Sequence, residues 1–342
     1  MAMQSPNVLL IYTGGTIGMV NDPETGALIP FNFEHLYENV PELRQFDYNI
    51  DVESIDKPID SSEMQPSNWA NIAKTIFDKY TQYDGFVILH GSDTMAYTAS
   101  ALSYMLQGIR KPIILTGSQL PIGQIRTDGK ENLITAVEIA GMKDIDDNAI
   151  VQEVAIYFEY RLYRGNRTSK VSANHFEAFA SGNYPNLAEA GVNIFFQPEY
   201  LFRTELAGPV LVTDMDNSVA VIKLFPGLNI DHYTSILESS KGVIIESFGS
   251  GNAPSNEKLE KALKNYTTNG GILLNVTQCS SGSISLGKYE SSEIFTRVGA
   301  VNGKDLTTEA ALTKLMFVLA QDVDNEQKKE MLEMNLCGEL SG

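Results

Sequence analysis

The chain has 342 residues, 43% of them apolar, and a formal net charge of −18. At roughly 100–200 residues per domain, that length predicts two domains with ordinary buried cores. The charge repels phosphate backbones and anionic lipid, which argues against a nucleic acid or a membrane as partner, and no stretch approaches the ~20 apolar residues of a membrane span.

The start, MAMQSPNVLL, lacks a secretory leader, so with Met1 as the native start the expected compartment is the cytoplasm. The first strand is expected at residues 8–12. It runs into TGGTIG, residues 13–18, where two threonines flank a glycine pair. This is either a tight turn with threonine caps or a site where Thr16 serves as a nucleophile. It matches neither the dinucleotide nor the P-loop glycine pattern. DSSEM, residues 60–64, reads as a loop whose Ser62 and Glu63 could hold the carboxylate and ammonium of a small zwitterion. Pro66-Ser67-Asn68 then starts a helix whose stripe is Trp69, Ile72, Ala73, Ile76, Phe77 and Tyr80.

A continuous apolar run at 86–90 predicts a strand covered on both faces. HGSDT, residues 90–94, follows it and precedes a helix over 94–106. An N-cap explains one of Ser92, Asp93 and Thr94 but not all three. Asp93 could grip an ammonium, and Ser92 could hold a water. A strand at 113–116 leads into TGSQLP, a helix is expected over 130–140, and a strand at 154–158 leads into YRGNRTSK, residues 163–170. Arg161, Arg164 and Arg167 are read as a solvated, ion-paired face, whereas Lys170 could point into a site. Each cluster is expected beyond the carboxyl end of its strand, the ligand edge of an open α/β sheet.

Residues 201–217 read as a linker between an N-terminal domain, 1–200, and a C-terminal domain, 218–342. Strands at 220–224, 243–246 and 272–275 follow, then helices at 309–320 and 326–334. The fold class is α/β, with a larger N-terminal doubly wound, mostly parallel sheet and a smaller C-terminal α/β domain. No G-x-S-x-G elbow, H-E-x-x-H or Cys/His metal spacing occurs. His35, His90, His175 and His232 are scattered, and His90 is expected to be packed at a strand end. Cys279 and Cys337 cannot form a disulfide framework and are expected to be small apolar side chains.

With TGGTIG and HGSDT in place, the chain resembles the type I, cytoplasmic bacterial L-asparaginases of the asparaginase/glutaminase family. DSSEM, KPIILTGSQLP, LYRGNRTSK, NVTQC and NLCGEL extend the resemblance over nearly the whole chain. It implies hydrolysis of L-asparagine to L-aspartate and ammonia with no metal or cofactor. It also implies a homodimer or homotetramer with sites at a subunit interface. By position, Thr16 matches the nucleophile that forms an acyl-enzyme. Ser92, Asp93 and Lys170 match the second catalytic group, and Ser61, Ser62 and Glu63 match the substrate-binding loop. Asn252 and the loop 278–285 could reach a neighbour's site. Three departures stand out: Ser92 replaces the usual threonine, residues 19–33 contain no tyrosine, and Glu246 replaces an arginine associated with a regulatory asparagine site.

Overall fold

The apolar runs expected as buried strands form the middle of an 8-stranded sheet. The computed structural model describes residues 5–21, 28–30, 37, 40–55, 57–285 and 293–341. Contacts divide the chain into two units, residues 1–213 and 214–342. In the first, the strands of the large sheet are β1 (Asn7–Tyr12), β2 (Asn49–Ser54), β3 (Gly85–Leu89), β4 (Ile113–Thr116), β5 (Val154–Phe158), β6 (Arg161–Arg164), β7 (Ala188–Ala190) and β8 (Ile194–Phe196). Their order is β8-β7-β6-β5-β4-β3-β1-β2. Strands β1 to β5 are parallel, and β6, β7 and β8 extend the sheet antiparallel. Every residue of β3, β4 and β5 is buried, because the sheet's centre is covered on both faces.

Helices α1 (Pro66–Lys79), α2 (Met95–Met105) and α3 (Gly129–Gly141) connect the parallel strands. The α1 stripe buries Trp69, Ile72, Ala73 and Ile76, and a capping box of Gln65 and Asn68 starts the helix. Glu159 and Tyr160 adopt φ of 44° and 69°, the left-handed pair that a two-residue hairpin needs. The chain therefore turns back into β6 instead of leaving the sheet at its carboxyl edge.

That hairpin corrects two expectations. YRGNRTSK does not stand directly beyond β5: Arg164 pairs with Ala155, near the start of that strand. A turn at Gly165–Arg167 then carries the chain back, and Lys170 reaches the carboxyl edge from the side. Nor do the arginines form a solvated face. Arg164 and Arg167 are 5% and 1% exposed: Arg164 sits on β6, which lies between β5 and β7, and Arg167, in the turn that follows, lies against the Tyr184 ring. The Arg164 Nε donates to Glu153 Oε2 at 2.6 Å, its Nη2 donates to the Tyr200 carbonyl at 2.7 Å, and its guanidinium lies 4.2 Å from the centre of the Tyr184 ring. Only Arg161 is exposed, as expected.

The second unit holds β9 (Val219–Lys223), β10 (Gly242–Ser247), β11 (Ile272–Thr277) and β12 (Val301–Asn302), all parallel and in that order. Its helices are α4 (Thr234–Ser239), α5 (Glu257–Thr268), α6 (Glu293–Val298), α7 (Thr308–Leu319) and α8 (Asn325–Glu333). Cys279 lies in the loop beyond β11 and is exposed, and Cys337 is half-buried, so Cys279 is not the packed apolar residue expected. Glu246 accepts from the Thr308 hydroxyl at 2.6 Å and pairs with Lys223 at 3.2 Å.

NLCGEL is fastened by a buried ion pair. Lys314 of α7 lies 2.6 Å from Glu339, and both side chains are fully buried. Glu339 also accepts the backbone N–H groups of Leu336 and Cys337. Removing one member of such a pair strands the other charge in the interior, typically at about 3–5 kcal/mol. Glu339→Ala is expected to lower stability by that amount, and chemical denaturation reads it directly.

Candidate active site

Strand β1 hands its chain to a loop tied to two neighbours. The Thr13 hydroxyl and N–H both donate to the Leu89 carbonyl, at 2.9 and 3.0 Å, and the Ile59 N–H donates to the Thr13 carbonyl at 2.8 Å. Thr13 is therefore an anchor. Gly14 and Gly15 take φ of 126° and 88°, which other residues rarely adopt. A Cβ on Gly14 would strike the backbone of Ile59, and one on Gly15 would strike the backbone of His90 and Gly91. The glycine pair thus lets three loops touch main chain to main chain. Thr16 follows at once and opens a short helical turn, Thr16–Gly18, where it is half-buried. The Tyr12 hydroxyl closes this turn by donating to the Gly18 carbonyl at 3.2 Å, and burial pushes its pKa up to about 12. Residues 22–27 and 31–33, which carry much of the tyrosine-free segment, lie outside the described residues.

DSSEM forms a second short turn, Ser61–Glu63. Asp60 caps it by accepting the Ser62 N–H and hydroxyl, both at 2.9 Å. These bonds hold the Asp60 carboxyl below its ordinary pKa. Ser61 is buried, whereas Ser62 and Glu63 are exposed. Asp60 was not among the residues expected from the sequence; its position directly before a Ser-Ser pair is the capping signal that could have found it.

HGSDT forms the third turn, Ser92–Thr94, and none of its hydroxyls or carboxylates caps α2. Each is used elsewhere. The Thr94 hydroxyl donates to the Ser61 carbonyl at 2.7 Å, which joins the second and third turns. Lys170 Nζ donates to Ser92 Oγ at 2.9 Å and to Asp93 Oδ1 at 2.6 Å. The structure therefore brings Ser92, Asp93 and Lys170 into one cluster. Ser61 packs against Gly91, and Gly15, next to Thr16, packs against Gly91 from the other loop. No hydrogen bond among the described residues joins Thr16 to the Ser92 cluster.

His90 is fully buried, as expected. Its Nδ1 lies 2.6 Å from the Gly91 carbonyl, its Nε2 lies 2.9 Å from the Thr98 hydroxyl, and Trp69 Nε1 donates to that hydroxyl at 3.0 Å. One proton arrangement satisfies the chain: Trp69 donates to Thr98, Thr98 donates to Nε2, and Nδ1 donates to Gly91. The ring is neutral and committed to holding the turn, so it is no general base. Burial lowers its pKa from 6.5 to about 4. The unfolded chain therefore takes up this proton first, and stability falls as pH drops from 6.5 towards 4. By pH 4.5 this one group accounts for a loss of about 2 kcal/mol. His90→Gln is expected to show an acid-side loss smaller by that amount when urea unfolding at pH 7 and pH 4.5 is compared with wild type.

TGSQLP borders the same edge. The Asp128 carboxylate accepts the backbone N–H groups of Gln119 and Leu120, and Asn132 donates to the Gly117 carbonyl at 3.0 Å. Gln119 Nε2 donates to the His175 carbonyl at 2.9 Å, which links this loop to the segment after Lys170. Among the described residues, no group of three or more His, Cys, Asp or Glu side chains could hold a metal ion.

A family model of the asparaginase N-terminal domain matches residues 7–201, and one of the glutaminase/asparaginase C-terminal domain matches residues 218–332. L-asparaginase 1 of Escherichia coli (strain K12) is 38% identical over 346 residues, spanning 99% of both chains. L-asparaginase I from Vibrio cholerae superposes with a TM-score of 0.89 at 36% identity, covering 98% of this chain and 99% of that one. The thermostable L-asparaginase from Thermococcus kodakarensis superposes with a TM-score of 0.90 at 30% identity, with the same coverage.

Proposed function

The chain belongs to the asparaginase family, and on that footing we propose that it hydrolyses L-asparagine to L-aspartate and ammonia through an ester on Thr16. The Thr16 hydroxyl oxygen attacks the side-chain amide carbon. Its proton ends on the departing nitrogen, ammonia leaves, and an aspartyl ester remains. Water then splits the ester, restores the hydroxyl and releases aspartate. Main-chain N–H groups near Gly15 and Ser92 stabilise the oxyanion in both steps, and one such donor is typically worth about 3 kcal/mol.

The observation that carries this reading is the contact of Lys170 Nζ with both Ser92 Oγ and Asp93 Oδ1, beside the loop that bears Thr16. Because Ser92 Oγ accepts from Lys170, its own hydrogen points elsewhere and can bond a substrate or a water. A proton can thus pass between the reacting atoms and Lys170 by way of Ser92. Asp93 and Glu63 supply negative charge for the substrate ammonium, and Ser61 and Ser62 supply hydroxyls for its carboxylate, Ser62 by turning its hydrogen from Asp60 to the substrate. Ser92→Ala is expected to lower kcat by about 10²–10³-fold, whereas Ser92→Thr, which keeps the hydroxyl, stays within about tenfold of wild type. Coupled assay of ammonia release from asparagine and from glutamine measures both variants and tests the substrate. A Ser92→Ala protein with wild-type kcat would remove the relay.

The same reading places the enzyme in the cytoplasm as a homodimer or homotetramer, working without metal or cofactor. Among the described residues, no helix is long and apolar enough to cross a membrane. Light scattering at assay concentration gives the subunit number.

A further inference from the structure

The opposite edge of the N-terminal sheet holds a second concentration of charge. Asp84 precedes β3, Arg110 and Lys111 precede β4, and Lys143 and Asp147 precede β5. With Arg203 they line a cleft of about 550 Å³. In a chain of net charge −18, this lining has four cations against two carboxylates.

Both carboxylates are engaged. Asp84 accepts the Asn7 N–H at 2.8 Å and pairs with Lys143 at 3.2 Å, and Asp147 pairs with Lys143 at 3.1 Å. The other three cations are held by main-chain carbonyls. Lys111 Nζ donates to the carbonyls of Tyr80, at 2.7 Å, and Tyr83. Arg110 donates to the Leu206 carbonyl, and Arg203 to those of Phe202 and Ile150, each at 2.9 Å. Carbonyls fix a cation's position without neutralising it. Lys111 is also half-buried, 4.9 Å from the centre of the Tyr80 ring, and burial pulls its ammonium below the ordinary range. Asp84 also faces Lys111 electrostatically, so the lining keeps a net charge of +2, and neither Arg110 nor Arg203 is in an ion pair among the described residues.

We propose that this cleft binds a small multivalent oxyanion of the phosphate or pyrophosphate kind. Two guanidiniums offer the planar donor fork that phosphate oxygens match, and Lys111 adds a point charge. Ala149 is the one apolar residue in the lining, so the cleft offers little surface for an acyl chain. The strongly acidic remainder of the chain repels long polyanions and leaves small ones.

The test is isothermal titration calorimetry of the full chain with inorganic phosphate and with pyrophosphate, at an ionic strength held constant with potassium chloride. Saturable 1:1 binding is expected, tighter for pyrophosphate. In the Arg110→Gln/Arg203→Gln double variant both affinities are expected to fall at least about tenfold. Both arginines are exposed, and the single variant Arg203→Gln is expected to shift binding in the same direction by less. Asparagine turnover without added anion is expected to be unchanged in either variant. Absence of saturable binding to wild type, or wild-type affinity in the variants, would overturn the assignment.

Discussion

Thr16→Ala is expected to lower ammonia release from asparagine by at least about 10³-fold, because a bound water is a far weaker nucleophile than a positioned hydroxyl. The loss is expected in kcat. On this proposal the loops around residues 61 and 92 would still bind substrate, so KM is expected to change little. Stability is expected to change little as well. The turn is held by main-chain bonds, Gly18 N–H to the Gly15 carbonyl and Met19 N–H to the Thr16 carbonyl, and alanine keeps both. Thr16→Ser keeps the nucleophile and is expected to retain measurable turnover. A Thr16→Ala enzyme with more than a few per cent of wild-type kcat would assign the attack to another group.

The second large effect separates two cations that lie six residues apart. Lys170→Met is expected to cut kcat by about 10²–10⁴-fold with a change in stability below about 1 kcal/mol. It removes the contacts to Ser92 and Asp93, but Asp93 stays 66% exposed and hydrated. Arg164→Met is expected to do the reverse. It leaves Glu153 buried and unpaired, at a cost of about 3–5 kcal/mol, while the surviving folded protein keeps its kcat. Denaturation curves run beside kinetics normalised to folded enzyme read the two effects apart. If both variants lost kcat in equal proportion, Lys170 would be structural and the catalytic assignment would fail.

This contrast also shows where the sequence was readable. Arg164, Arg167 and Lys170 recur at intervals of three, and by pattern they are one basic cluster. What separates them is the Glu159-Tyr160 hairpin, which turns β6 back and buries Arg164 and Arg167 against Tyr184, a tertiary fact that no local spacing records. The central parallel strands were legible because strands buried on both faces must be continuously apolar, whereas the polar, largely exposed edge strand β2 was missed; the α1 stripe was legible because one face of that helix packs inward. HGSDT was legible as more than a cap, since one helix start cannot use three polar side chains. Asp60 was overlooked although its cap of Ser62 is local, whereas the Trp69–Thr98–His90 chain was not foreseen, because its partners meet only after α1 and α2 have packed. The charged cleft at the opposite edge escaped for the same reason. Its residues come from separate loops and show no motif.

The central claim is that the side-chain oxygen of Thr16 is bonded to substrate carbon during each turnover. The direct measurement is acid quench of the enzyme during steady-state hydrolysis of asparagine, followed by peptide mapping by mass spectrometry. An aspartyl ester on the peptide that contains Thr16, absent from Thr16→Ala, is the predicted result. An adduct on another residue, or none where the ester is the accumulating species, would contradict it.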